Sequence, residues 1–217
     1  MKKIFYNVKE YQFKEIIETT LNIKDLSNIH VERPDLLPKE KLNFETETKT
    51  SFHDLFYSKL NSGWPELENA YIKFVQDEIT KQIPEKFVYQ RFPSVRFHLP
   101  NDQAIHYWHY DSDKDHMHPE WEINFQIALT PMYDTQATWI ESIPGLKDFR
   151  PMEMSYGEYY IFDGNRCVHG NKENKTNKTR VSFDFRIVPL DRYTKQGAKI
   201  SATKKRKFVV GEYYKAL

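Results

Sequence analysis

The 217-residue chain lacks the usual marks of a secreted, membrane or nucleic-acid-binding protein. Its single cysteine, Cys167, cannot form a disulfide within the chain, so a reducing cytoplasm is the expected compartment. The basic start lacks the apolar core of about 7–15 residues of a secretion signal, and no run approaches the roughly 20 apolar residues of a membrane span. Lys and Arg total 32 against 31 Asp and Glu, so the basic excess that nucleic acids or membrane surfaces require is missing.

The composition and the first third of the chain indicate a single domain, residues 1–217, with a helical N-terminal part. Hydrophobic residues make up 39% and aromatic residues 15% of the chain, enough for a sizeable core. Apolar residues recur at helix-like intervals over residues 10–21. Thr50 is expected to cap a second helix, and Pro65 to begin a third that runs to about residue 82. Residues 1–84 are therefore predicted to pack as helices on a sheet.

After residue 84 the sequence becomes rich in strands. The predicted strands are separated by clusters of Pro, Gly, Asn and Asp and cover residues 87–97, 104–110, 121–129, 138–142, 158–162 and 181–188. Short strands with frequent turn signals indicate a sandwich or barrel. The predicted fold is mainly β with N-terminal helices, with a β core over residues 85–190 and a C-terminal extension over 191–217.

Two of these strands alternate strictly between apolar and polar residues. In residues 120–127 and 180–187, apolar side chains occupy the odd positions and polar ones the even positions, so each strand has one apolar and one polar face. The polar faces could meet water, as in an ordinary half-solvated sheet, or line the cavity of a small barrel. The position of Arg180 shortly after His169 favours a cavity for the second strand; for the first, both interpretations stay open.

A candidate metal site comes from two short stretches that lie 60 residues apart. His109 and Asp111 are two positions apart, so on an extended chain their side chains share a face. His169 follows in a stretch rich in turn residues. Two imidazoles and one carboxylate suit Fe(II) with open coordination positions, whereas zinc more often takes a closed tetrahedron. Asp113 could replace Asp111, but strand geometry favours the closer pair.

An arginine and a serine follow the second histidine. Arg180 lies eleven residues after His169, and Ser182 shares its face of the strand. A buried arginine with a nearby hydroxyl can bind an organic carboxylate beside the metal. Arg186 lies on the same face and could either contact the substrate or pair with Asp184.

A strand and a charged loop offer further candidate side chains near the substrate. Trp139 and Glu141 share one face of a strand, and a carboxylate beside an aromatic ring suits sugar hydroxyls, although a core Trp with a rim Glu is equally ordinary. His116 and His118 lie in a charged loop that is predicted to form a rim or lid. Cys167 is predicted to be a buried thiol.

Over residues 87–190 the chain resembles the Fe(II)/2-oxoglutarate-dependent dioxygenases. His109, Asp111, His169, Arg180 and Ser182 carry the resemblance. Further stretches resemble the small oxygenases encoded in bacterial antibiotic and surface-carbohydrate gene clusters, the streptomycin-biosynthesis type; they are residues 109–113, 122–125, 129–130, 139–142 and 180–186.

The resemblance implies a fold, cofactors and an activity. The fold would be a double-stranded β-helix, a cupin-like jelly roll, in which the two histidines and Asp111 bind Fe(II). Arg180 and Ser182 would bind the distal carboxylate of 2-oxoglutarate, and Asn124 would help to hold this cosubstrate. With O2 the enzyme would hydroxylate a small polar metabolite of sugar, aminoglycoside or amino-acid type, while desaturation and epimerisation remain open.

Two other functions fit the same motifs. A cupin-like metal-dependent sugar isomerase or epimerase would need no 2-oxoglutarate, and Arg180 would then serve the substrate. A non-catalytic carbohydrate-binding jelly roll would use the histidines structurally.

Overall fold

The computed structural model describes residues 1–37, 50–104, 107–193, 200 and 207–217. In these residues two antiparallel sheets face each other, and helices cover the outer face of the larger sheet. None of the described helices is both long and apolar enough to cross a membrane.

The helices lie mainly before the β core. They are α1 (Phe13–Leu21), α2 (Ile29–Glu32), α3 (Ser51–Asn61), α4 (Pro65–Phe74) and α5 (Thr80–Gln82), and a π-helical turn (Val75–Ile79) joins the last two. The three predicted helices are confirmed as α1, α3 and the continuous α4–α5 unit. Thr50 precedes α3 and donates its backbone N–H to His53 Nδ1 over 3.1 Å, and Pro65 begins α4.

The strands form one large and one small sheet. They are β1 (Lys2–Phe5), β2 (Phe87–Gln90), β3 (Ser94–His98), β4 (Ile123–Ala128), β5 (Thr138–Ile140), β6 (Arg150–Met152), β7 (Glu158–Phe162), β8 (His169–Asn171), β9 (Arg180–Pro189) and β10 (Tyr214–Ala216). The large sheet has the order β1-β7-β4-β9-β2-β10, with β3 also paired to β9, and the small sheet has the order β6-β5-β8.

Several predicted strands differ from the observed ones. The strand predicted over residues 87–97 is split into β2 and β3 around Pro93, which cannot donate a backbone hydrogen bond. The strand predicted over residues 104–110 is reduced to a single bridge at His109, and residues 105–106 of it lie outside the described part. Among residues 191–193, 200 and 207–217, the described part of the C-terminal extension, only residues 214–216 form a strand, and it pairs with β2.

The alternating strands β4 and β9 turn their apolar faces to the helices. Phe125 and Phe185 stack with ring centroids 4.8 Å apart and join one core cluster with the helical residues. The opposite faces are buried too: Asn124 is 2% and Ser182 0% exposed. The cavity interpretation therefore holds for both strands, including the one for which the sequence left the choice open.

Phe74 lies at the centre of the contact between helices and sheet. Its ring is fully buried, with centroid distances of 5.3–5.4 Å to Tyr6, Tyr11 and Tyr159. We expect Phe74→Ala to lower the free energy of unfolding by about 3–5 kcal/mol, because it removes a large buried ring and leaves a cavity. Urea unfolding followed by circular dichroism measures this loss. The matched control, Phe5→Ala, removes a ring that is 74% exposed and should stay within about 0.5 kcal/mol of the wild type; equal losses in both variants would contradict the prediction.

Candidate metal centre

Backbone pairing brings the two predicted histidines together. The N–H of His109 donates to the carbonyl oxygen of His169 over 3.0 Å, and the N–H of His169 donates to that of His109 over 2.8 Å. Side chains that are directly opposite in an antiparallel pair lie on the same face. The two imidazole rings are therefore neighbours, with centroids 4.6 Å apart.

Asp111 completes the cluster. Its backbone N–H donates to the carbonyl oxygen of Gly164 over 2.9 Å, which fixes the turn after His109. Its Oδ1 lies 3.8 Å from His109 Nε2 and 3.9 Å from His169 Nε2. All three candidate ligand atoms lie within 4.8 Å of one another, so they can converge on one ion with ligand bonds of about 2 Å.

The outer nitrogens of both imidazoles face backbone carbonyls. His109 Nδ1 lies 3.4 Å from the carbonyl oxygen of Tyr107, and His169 Nδ1 lies 3.0 Å from that of Cys167. With the proton on Nδ1, each Nε2 presents its lone pair to the centre of the cluster. Burial and the nearby His169 lower the pKa of His109 to about 3, so this ring is neutral near pH 7, as metal binding requires.

The two carboxylate oxygens of Asp111 have different partners. Oδ2 accepts hydrogen bonds from Asn124 Nδ2 over 2.6 Å and from Arg186 Nε over 2.7 Å. Burial alone would raise the pKa of Asp111, but the positive charge of Arg186 holds it well below its usual range. The carboxylate is thus ionised, with Oδ2 engaged and Oδ1 directed towards the histidines.

Arg180 is a buried cation that forms no ion pair with any described residue. It is 1% exposed, and Nη1 donates to Thr138 Oγ1 over 2.9 Å. None of the described carboxylates lies within 4.0 Å of its guanidinium, and neither Arg180 Nε nor Ser182 Oγ has a hydrogen-bond partner among the described residues. Burial lowers the pKa of Arg180 to about 10, so the group stays charged near pH 7.

Arg180 and the two histidines line one cavity between the sheets. Its lining includes His109, His169, Asn124 and Arg180. A buried, uncompensated charge is unfavourable, and a guanidinium with spare donors fits a carboxylate. Arg180 lines the cavity and has a nitrogen without a hydrogen-bond partner among the described residues, so it fits an organic anion beside the cluster; Ser182 lies two positions further along β9 and is fully buried.

Of the two alternatives for Arg186, a substrate contact or a pair with Asp184, the pair is not observed, and Arg186 lines the cavity. Asp184 instead accepts hydrogen bonds from Arg96 Nε and from Gln126 Nε2, both over 2.8 Å. Arg186 reaches Asp111, and Asn124, which was predicted to hold a cosubstrate, donates to the same carboxylate. Each of these side chains thus has its partners on other segments of the chain: Asp184 on β3 and β4, and Arg186 in the turn after His109.

The structure does not bring Trp139 and Glu141 to the cavity. Thr138 and Ile140 occupy the inward positions of β5, so the two alternate residues lie on the outer face of the small sheet. Glu141 accepts the backbone N–H of Val168 over 2.7 Å, and Lys172 Nζ lies 3.1 Å from the ring centroid of Trp139. The expectation of a shared substrate site at these two residues has no support in this geometry.

A buried polar network behind Asp111 was missed by sequence reasoning. His118, predicted to lie at a rim, is buried, and its Nδ1 lies 2.7 Å from Glu122 Oε2. Tyr214 donates its hydroxyl to Glu122 Oε1, and Tyr213 Oη lies 3.5 Å from Arg186 Nη1. Glu122 could have been found, since it extends the polar face of β4; the tyrosines gave no signal, because they arrive through the long-range pairing of β10 with β2.

His116 and Asp113 form a separate pair at the edge of the cluster. His116 Nδ1 lies 2.6 Å from Asp113 Oδ1, and its ring stacks on His109 with centroids 4.3 Å apart. Asp113 is therefore engaged elsewhere, and Asp111 is the carboxylate that lies between the two histidines.

Comparison with known proteins finds similarity to a curated sequence and to several solved structures. No protein-family model matches the chain. The streptomycin biosynthesis protein StrG of Streptomyces griseus is 29% identical over 212 residues, which cover 98% of this chain and 96% of that protein. The nickel complex of the non-heme monooxygenase ThoJ is 12% identical with a TM-score of 0.48, over 92% of this chain and 78% of that one. Iron-bound EctD from S. alaskensis is 12% identical with a TM-score of 0.49, over 89% and 74%.

Proposed function

We propose that the chain is a non-haem oxygenase that depends on Fe(II) and 2-oxoglutarate and hydroxylates a small polar metabolite. One observation carries the proposal: an open cluster of two imidazoles and one carboxylate shares a cavity with a buried guanidinium that has no counter-ion among the described residues. The cluster of imidazoles and carboxylate suits a ferrous ion, and the guanidinium of Arg180 suits the distal carboxylate of a keto acid.

The path of the chain supports a double-stranded β-helix within a single domain over residues 1–217. Strands β3, β4, β7 and β9 belong to the large sheet, whereas the bridge at His109 and strands β5, β6 and β8 belong to the small one. The chain therefore passes repeatedly between the sheets, and the candidate ligands lie where the two sheets face each other.

The donor set fits iron better than a closed zinc site. Among the described residues the cluster has three protein ligands, and the nearby His118 and Glu122 bind each other. His109, Asp111 and His169 would hold the ion and leave positions for the cosubstrate and O2, which together supply oxidative chemistry at a C–H bond. Arg180 and Ser182 would orient 2-oxoglutarate, and the buried polar faces of β4 and β9 would keep the reagents in a fixed geometry.

The similarity to StrG supports a substrate class. It extends over 98% of this chain, and that protein is described as a streptomycin biosynthesis protein. We propose a sugar, an aminoglycoside or a related small metabolite as the substrate. An isomerase or epimerase remains the second candidate, because the unpaired donors of Arg180 would also bind an acidic substrate directly.

An anaerobic titration tests the proposed function. Addition of 2-oxoglutarate to the Fe(II)-loaded protein should produce a weak charge-transfer band in the visible spectrum that saturates near one equivalent. Glutarate, which has both carboxylates but no keto group, is the matched control and should give no band. Metal binding without a band would favour the isomerase, and absence of metal binding would favour a non-catalytic carbohydrate-binding protein.

A further inference from the structure

We propose that Arg186, backed by Glu122, is a positioning residue that makes Asp111 bind the metal through one oxygen and so sets the affinity and coordination geometry of the site. This inference rests on the proposed function to the extent that an ion must bind at His109, Asp111 and His169.

Two hydrogen bonds and one further ion-pair contact converge on a single oxygen of Asp111. Arg186 Nε and Nη2 each lie 2.7 Å from Oδ2, and Asn124 Nδ2 lies 2.6 Å from it. Oδ1 receives no hydrogen bond from any residue that the structure describes, and it faces the Nε2 atoms of both histidines. Because the lone pairs of Oδ2 are already taken by these donors, Asp111 has one oxygen left for an ion.

Arg186 is itself held in place from behind. Glu122 Oε2 lies 3.6 Å from Arg186 Nε, and Tyr213 Oη lies 3.5 Å from Nη1. Glu122 is 4% exposed and is fixed in turn by His118 Nδ1 and the hydroxyl of Tyr214. A guanidinium between two buried carboxylates cannot turn away from Asp111 without leaving a buried charge unpaired, so its orientation is strongly determined.

The planar guanidinium is essential to this arrangement. Two nitrogens of Arg186 reach the same carboxylate oxygen, while the remaining nitrogen faces Tyr213. A lysine carries the same charge but is a point donor on a flexible stem, and it cannot reproduce these contacts. The variant Arg186→Lys therefore preserves the positive charge but removes the paired contacts of two nitrogens with Asp111 Oδ2.

The experiment measures Co(II) binding and the visible absorption of bound Co(II), which reports coordination geometry. Removal of groups that hydrogen-bond a metal ligand typically costs about 10–100-fold in metal affinity; we expect Arg186→Lys to weaken Co(II) binding by that factor and to change the absorption. The matched control is Arg166→Lys, because Arg166 also places Nε and Nη2 on one oxygen of an aspartate, Asp163, but at the exposed surface; it should behave as the wild type.

The outcomes separate this inference from the proposed function. If the wild type binds no divalent metal, the proposed function fails. If the wild type binds metal and 2-oxoglutarate while Arg186→Lys keeps its Co(II) affinity and spectrum, only the positioning role fails; a lower melting temperature with an unchanged spectrum would likewise mean a purely structural role. Should Arg186→Lys not fold, Glu122→Gln preserves the shape behind Arg186 and should shift the affinity and the spectrum in the same direction by a smaller factor; wild-type values in that variant would overturn the inference.

Discussion

The substitution His169→Ala is expected to abolish tight binding of Fe(II) or Co(II), and with it all 2-oxoglutarate turnover. His169 Nε2 and Asp111 Oδ1 lie 3.9 Å apart, and the loss of this imidazole leaves only two candidate ligands. The fall in metal affinity should exceed the roughly 10–100-fold that is typical when only a hydrogen-bond partner of a ligand is removed. Titration calorimetry with Co(II) measures it, and added imidazole should restore part of the binding because the vacated space can accept the free ring.

A histidine outside the cluster provides the control. His30 Nδ1 lies 2.8 Å from Thr179 Oγ1, and His30 takes no part in the metal cluster. His30→Ala should bind metal as the wild type does. Wild-type affinity in His169→Ala would instead place the ion at the second group of candidate ligands, Asp111, His118 and Glu122.

The substitution Arg180→Met should have opposite effects on ligand binding and on the stability of the ligand-free protein. Loss of one partner of a buried charge pair costs about 2–5 kcal/mol, so 2-oxoglutarate affinity should fall by at least about 30-fold. Without ligand, however, the wild type contains a buried guanidinium that lacks a carboxylate partner within the described part of the chain. Its replacement by an apolar side chain of similar length should leave the free energy of unfolding unchanged or raise it by about 1–4 kcal/mol.

Thermal denaturation tests both effects in one series. In the presence of metal, 2-oxoglutarate should raise the melting temperature of the wild type but not that of Arg180→Met, and Co(II) affinity should be the same in both proteins. Arg166→Met, at an exposed arginine, should retain the shift caused by 2-oxoglutarate. A ligand-free Arg180→Met protein that is strongly destabilised, yet binds 2-oxoglutarate normally, would show that Arg180 has a structural role only.

The parts of the fold that could be predicted from sequence are those set by local periodicity. The alternation over residues 180–187 correctly indicated which side chains of β9 share a face, and the helix-like spacing located α1 and α4. The bridge at His109 could not be predicted as such, because only its partner at His169 defines it. The position of β10 likewise depends on β2, more than 120 residues earlier in the chain.

In the candidate site, too, features set by local sequence could be predicted and features set by long-range strand pairing could not. Spacing alone selected His109 and Asp111, and chain order added His169 and Arg180. The partner of Arg186 could not be inferred, because it follows from the register of β9 against β4, which sets Arg186 opposite Asn124 and lets both reach Asp111. For Trp139 and Glu141, periodicity showed that they share a face but not that this face points away from the cavity.

The two candidate histidine ligands and Arg180, the candidate binding residue for the cosubstrate carboxylate, lie on different sheets. His109 and His169 lie on the small sheet, whereas Arg180 belongs to the large one. A dicarboxylate bound to both the ion and Arg180 would therefore link the two sheets non-covalently. Local opening that separates the two sheets would have to break these ligand contacts. Binding of the cosubstrate should therefore reduce hydrogen exchange and proteolysis in the core between the sheets.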